Sequence, residues 1–133
     1  MNLRVPQSFA FFNKCFASED FEIDFFELEQ KLNFTAKRLY FLNTNSLPST
    51  RGQHAHVNQN QIILKLSGKA TVLLTDKKGI TQTWQLDKEL LYIPSNYWIE
   101  IKMAARSKIL CLASLPYDQL NTIFDKDQFL VSK

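Results

Sequence analysis

Between residues 36 and 114 the chain is a succession of short apolar segments, rich in β-branched and aromatic residues and separated by turn residues. This constrains the fold more than any other feature. Segments at 36–43, 61–66, 69–75, 80–86, 90–93, 97–102 and 107–113 each have the length and composition of a strand. Ser67-Gly68 reads as a tight turn, Asp76-Lys77-Lys78-Gly79 as a hairpin loop, and Pro94 stops the segment before it. Residues 43–50, with Asn, Ser, Thr and Pro48, read as a loop within a domain. Many short strands at this spacing predict an all-β sandwich or barrel.

The chain has 133 residues, which suits one domain, and 45% are apolar, enough for a core. The net charge of +3 is too mild to imply nucleic acid. The longest apolar run is 109–113, five residues, against the roughly 20 that a membrane helix needs. Behind Arg4, the polar Gln7 and Asn13 and the Pro6 ring interrupt any apolar run. No signal peptide is read there, so the expectation is a cytoplasmic protein bound to neither membrane nor nucleic acid. Cys111, in Ile-Leu-Cys-Leu-Ala, reads as a small buried hydrophobe, and Cys15 lies beside Lys14. Without a CxxC spacing there is no zinc-ribbon or thioredoxin motif, and a reducing compartment disfavours a disulfide. The three glycines form no phosphate loop and no dinucleotide fingerprint.

The two ends read differently. Nine of eleven phenylalanines fall in the first 41 residues. Phe21, Ile23 and Phe25 alternate as in a strand, whereas Phe25, Leu28 and Leu32 suit a helix. Residues 118–125 are the place for a short C-terminal helix.

The two histidines of the chain lie together in Arg51-Gly52-Gln53-His54-Ala55-His56. On a strand, positions i and i+2 share a face, so both imidazoles project into one space with Ala55 behind them. A solvated loop is the bland alternative. A metal site would need a carboxylate and a third histidine, but Gln61 and Ile99 stand where those would fall. Proton transfer is the other chemistry. An imidazole titrates near neutral pH, and two on one face can serve adjacent carbons. Arg51 would hold a phosphate or stabilise an oxyanion, and Tyr40 would offer a hydroxyl from a neighbouring strand. Trp84 and Trp98 read as core or pocket wall; Tyr97 or Trp98 is the candidate to stack on a nucleobase.

With Gln61, Gly68, Leu-Tyr-Ile-Pro at 91–94, Trp98, Glu100, Leu-Ala-Ser at 112–114 and Arg38-Leu39-Tyr40, the histidine motif makes a pattern. It resembles the dTDP-4-keto-6-deoxyglucose 3,4-ketoisomerases, the cupin family that includes the WxcM-like C-terminal domains. The likeness runs from about Phe34 to Phe129, and the first 33 residues match only in length and aromatic content. It implies a jelly-roll β-barrel, residues 1–133 as a single cupin domain, and a homodimer exchanging an N-terminal strand from the arm at 1–33. It implies a metal-independent, cofactor-free isomerase that moves a ketone from C4 to C3 of a dTDP-linked keto-deoxysugar, through an enediolate, towards amino sugars of surface polysaccharide. By position, His54, His56 and Tyr40 would be catalytic, and Arg51, Gln61, Trp98 and Arg38 would bind substrate.

The chain departs from the family pattern at three places. Trp98-Ile99-Glu100 stands for Trp-His-Glu, and Asn121-Thr122-Ile123-Phe124 for Asp-Tyr-Ile-Arg. The glycine-containing opening segment is absent. Loss of the histidine at 99 and the altered C-terminal segment leave open a nucleotide-sugar-binding cupin without turnover; a metal cupin is the remaining alternative, against which the missing histidine counts.

Overall fold

A computed structural model of the chain describes residues 3–9 and 22–132. In chain order the elements are β1 (Gln7–Phe9), α1 (Phe25–Leu32), β2 (Arg38–Asn43), β3 (Ser49–His56), β4 (Gln61–Ser67), β5 (Ala70–Thr75), β6 (Thr81–Gln85), β7 (Leu90–Ile93), β8 (Trp98–Met103) and β9 (Lys108–Ala113). A 3₁₀ turn at Tyr117–Gln119, β10 (Thr122–Ile123) and α2 (Lys126–Val131) complete them. The seven strands expected from sequence are all present, with ends displaced by at most two residues. The loop expected over 43–50 is shorter, because β3 already begins at Ser49.

Two antiparallel five-stranded sheets face one another, in the orders β1-β7-β4-β9-β2 and β10-β3-β8-β5-β6. This is the expected jelly roll. Its inner layer joins Ile63 and Cys111 of the first sheet to Val72, Leu74, Ile99 and Ile101 of the second. Burial of that layer, at about 25 cal/mol per Å² of apolar surface, is the main force holding the sheets together. Strands β7 and β9 are buried on both faces because α1 covers the outside of the first sheet. Leu28 and Leu32 of α1 insert there against Ile62, Leu64, Leu110 and Leu112.

A cap decides the ambiguous N-terminal segment in favour of helix. Asp24 accepts hydrogen bonds from the amides of Phe26 (2.9 Å) and Glu27 (3.3 Å), and Asn33 closes the helix in the left-handed conformation. Of the residues that alternate, Ile23 precedes the helix outside any strand and Phe25 begins it; Phe21, like Cys15, lies outside the described residues. Ser67-Gly68 turns tightly, yet it joins strands of different sheets. Gly68 has φ +78°, and a Cβ there would sit 2.6 Å from the Cα of Ser107. Only glycine lets this corner close on β9. The Asp76–Gly79 loop is the expected hairpin, with Asp76 accepting from the amides of Lys78 and Ile80, both at 2.9 Å.

The C-terminal helix is displaced from its expected place. Residues 118–125 hold the end of the 3₁₀ turn and β10, and the helix is α2, capped by Asp125 at 3.0 Å from the amide of Gln128. The reason is tertiary. Thr122 and Ile123 are taken into the sheet by His56 and Ala55 of β3. Phe129 of α2 is then buried against Trp98 and Ala55 on the outer face of the second sheet. Among the described residues, no helix is long and apolar enough to cross a membrane.

Candidate active site

The site is built on an irregularity in β3. In its register with β8, Gly52 lies opposite Glu100 and His54 opposite Ile99, so Gln53 is an extra, bulged residue. Gly52 (φ +85°) and Gln53 (φ +57°) both adopt left-handed conformations. A Cβ at Gly52 would fall 2.7 Å from the carbonyl oxygen of Ile99. The bulge re-aims the strand, putting His54 and His56 towards the interior and Ala55 into the outer cluster with Trp98 and Phe129.

The two rings face an open pocket of about 600 Å³. From β2 come Arg38 and Tyr40, and from the C-terminal segment Tyr117, Thr122 and Phe124. The imidazole centroids are 4.4 Å apart with planes tilted by 55°. The Phe124 ring stands 6.0 Å from His54. Among the described residues, no group of three or more His, Cys, Asp and Glu side chains is placed to share an ion.

Each imidazole has one nitrogen engaged. Nδ1 of His54 lies 2.9 Å from the carbonyl oxygen of Gly52. A carbonyl only accepts, so in the neutral ring Nδ1 carries the proton and Nε2 a free lone pair. Nδ1 of His56 lies 2.9 Å from the hydroxyl of Thr122. Burial lowers the pKa of His54, against an upward pull from the Gly52 carbonyl. His56 is pushed down to about 4, mainly by burial, with His54 and Arg38 adding repulsion. Both rings are therefore neutral at physiological pH.

Tyr40 accepts a hydrogen bond from Nε2 of Gln61 at 2.9 Å. Burial, reinforced by neighbouring Cys111, raises its pKa, so the phenol keeps its proton. The Cys111 thiol is pushed up to about 12, chiefly by burial, and is an inert core group. Arg38 lies over the rings of Tyr40 (5.0 Å) and Tyr117 (5.5 Å). Its Nη2 donates to Oε1 of the buried Gln59 at 3.3 Å, and its Nε has no hydrogen-bond partner among the described residues.

Four sequence candidates, His54, His56, Tyr40 and Arg38, thus line one pocket. Gln61 stands behind Tyr40 and orients it. Arg51 reaches the interior face, since the bulge offsets its odd spacing from His54, but its guanidinium turns away. Nε donates to Ser49 at 3.1 Å and Nη2 to the carbonyl of Asn43 at 2.8 Å. Trp98, expected at the pocket, lies under α2, because it pairs with Ala55 and so shares that residue's outward face. Ile99 is buried in the core between the sheets. Sequence reasoning missed Gln59, Tyr117, Thr122 and Phe124. None belongs to the histidine motif, and only the departure at 121–124 signalled the last two.

A jelly roll with paired imidazoles, a phenol and a guanidinium around an open pocket defines a cupin-like protein equipped for proton transfer beside a positive charge. The chain belongs to the WxcM-like C-terminal (FdtA) family, whose profile matches residues 10–133. It is 30% identical over 106 residues to the TDP-4-oxo-6-deoxy-α-D-glucose-3,4-oxoisomerase of Aneurinibacillus thermoaerophilus, covering 77% of this chain and 76% of that one. Among solved structures it is similar to the TDP-quinovose 3,4-ketoisomerase WlaRB of Campylobacter jejuni, with 34% identity, TM-score 0.68, and 74% and 78% of the two chains covered. The TDP-fucose-3,4-ketoisomerase WlaRA of the same organism gives 28%, TM-score 0.67, and 74% of each chain.

Proposed function

We propose that this protein is a TDP-sugar 3,4-ketoisomerase acting on TDP-4-keto-6-deoxyglucose, with His54 as the base. The observation that carries this reading is the pair of neutral, adjacent imidazoles, one with Nε2 free for a proton, beside a protonated phenol.

The chemistry follows from the geometry. The C4 ketone acidifies the proton on C3, and Nε2 of His54 takes it. The bonding pair becomes a C3–C4 double bond, and charge moves to the C4 oxygen. Hydrogen-bond donors of the pocket stabilise that enediolate. The hydroxyl proton on the C3 oxygen passes to the C4 oxygen. C4 then takes the proton from the His54 imidazolium, leaving the ketone at C3. No atom is gained or lost. Arg38, with Nε unpartnered and Nη2 steadied by Gln59, is the group we assign to the diphosphate. Arg51, with Nε and Nη2 engaged by Ser49 and the Asn43 carbonyl, braces β3.

The reading includes a homodimer with exchange of the N-terminal arm. Strand β2 lies at a sheet edge and leaves Leu39 and Phe41 about half exposed, which supports a partner there. Size-exclusion chromatography with light scattering tests the dimer.

Incubation of chelator-treated protein with TDP-4-keto-6-deoxyglucose in D2O, followed by proton NMR, tests the activity. A 3-keto sugar is the expected product, and its coupling constants report the configuration at C4. Exchange at C3 without product indicates a working base and a missing return step. Neither exchange nor product overturns the reading and leaves a binding protein.

A further inference from the structure

The histidines are held by different kinds of group, and the difference matters. His54 rests on a carbonyl, which dictates its tautomer. His56 rests on a hydroxyl, which can donate or accept. We propose that Thr122 is a positioning residue whose hydroxyl donates to Nδ1 of His56, holding that ring as the neutral Nε2–H tautomer. His54 then presents a lone pair to the pocket and His56 presents an N–H. The second ring is thereby a hydrogen-bond donor to the substrate oxygens and not a second base. Its assignment to those oxygens rests on the ketoisomerase reading; the tautomer does not.

Three observations carry this. The Thr122 hydroxyl lies 2.9 Å from Nδ1 and, among the described residues, has no other protein acceptor for its proton. Donation to Nδ1 gives that proton a protein acceptor; the opposite tautomer turns it out towards the open pocket. Thr122 is also the register partner of His56 itself in the β10–β3 pairing, so main chain sets the approach of the two side chains.

Finally, the segment is clamped on both sides. Asn58 donates to the carbonyl of Gln119 at 2.8 Å and accepts from the amide of Asn121 at 3.0 Å. Val57 donates to the carbonyl of Asn121 at 3.0 Å. On the other side, Lys77 lies 4.3 Å over the Phe129 ring and donates to the Phe129 carbonyl at 2.9 Å, fastening α2 to the β5–β6 hairpin. A two-residue strand is too short to hold itself in place, and these contacts hold it.

The test uses the intact protein labelled with ¹⁵N-histidine. With two histidines in the chain, His54→Asn and His56→Asn spectra assign the four ring nitrogens. At neutral pH the expected pattern is His54 protonated on Nδ1 and His56 on Nε2. Thr122→Val should convert His56 to a tautomer mixture and lower kcat by about tenfold, with KM changed less, while Thr122→Ser retains the wild-type spectrum and rate. His56 protonated on Nδ1 in the wild type overturns the proposal, as does a Thr122→Val protein unchanged in both spectrum and kcat. If Thr122→Val does not fold, the wild-type tautomer decides alone. If the wild type does not turn over the keto sugar, the ketoisomerase reading fails and the spectrum still decides the role of Thr122.

Discussion

The ring centroids of His54 and His56 are 4.4 Å apart, close enough that a charge on one raises the cost of a charge on the other. Burial and this neighbour together hold His56 at about 4, and burial lowers His54 as well. In the unfolded chain both titrate near 6.5.

The sign of the pH dependence follows. Between about pH 6.5 and 4 the unfolded chain binds more protons at His56 than the folded protein does. Stability is therefore complete above the unfolded value and falls as pH drops through this window. Urea midpoints from pH 8 to 4 should decline on the acid side, and the decline should be smaller in His56→Gln. The rate should hold to a pH below 6.5, since His54 must be neutral to act as the base.

Gly52→Ala attacks the bulge. Its Cβ meets the Ile99 carbonyl oxygen at 2.7 Å in a backbone conformation with φ +85°. The expected cost is about 1–3 kcal/mol of stability. The carbonyl that sets the His54 tautomer moves too, so kcat should fall further than in a remote variant of equal instability. Denaturant unfolding and steady-state kinetics on the same preparation separate the two effects.

Tyr40→Phe removes a phenol that keeps its proton at every pH of interest. If the hydroxyl donates to the enediolate oxygen, kcat should fall by about 10²-fold with little change in KM. Gln61→Leu leaves the phenol in place and loses only its 2.9 Å hydrogen bond. A smaller fall in kcat is expected, and an equal fall would show that Gln61 acts on substrate directly.

The two arginines should separate cleanly. Arg38→Ala is expected to raise KM for the nucleotide sugar by about 10-fold or more, as for loss of a charged hydrogen bond. Arg51→Ala breaks bonds to Ser49 and to the Asn43 carbonyl, so it should cost about 1 kcal/mol of stability and leave KM near wild type. TDP binding by calorimetry gives the same comparison without turnover. The reverse ranking would return the diphosphate to Arg51.

What was legible in the chain was local. Strand segments, the Asp76–Gly79 hairpin and the same-face pair His54 and His56 all follow from period-two alternation and turn chemistry, which act over a few residues. Arg51 was not legible, because its spacing from His54 says nothing about where a long guanidinium turns once Ser49 and the Asn43 carbonyl are at hand. Trp98 was not legible either. Which face of β8 points outward depends on its pairing with Ala55, and α2 covers that face.

The sequence by itself determined an all-β domain, the histidine motif and the family, because these depend on residue type and short spacing. Tertiary structure alone decided which arginine meets the pocket, that Gln61 supports Tyr40, and that Thr122 reaches His56 from 66 residues away. Those contacts join strands distant in the chain. They form only when the buried inner layer brings the two sheets together and Phe129 seats the C-terminal segment on the second.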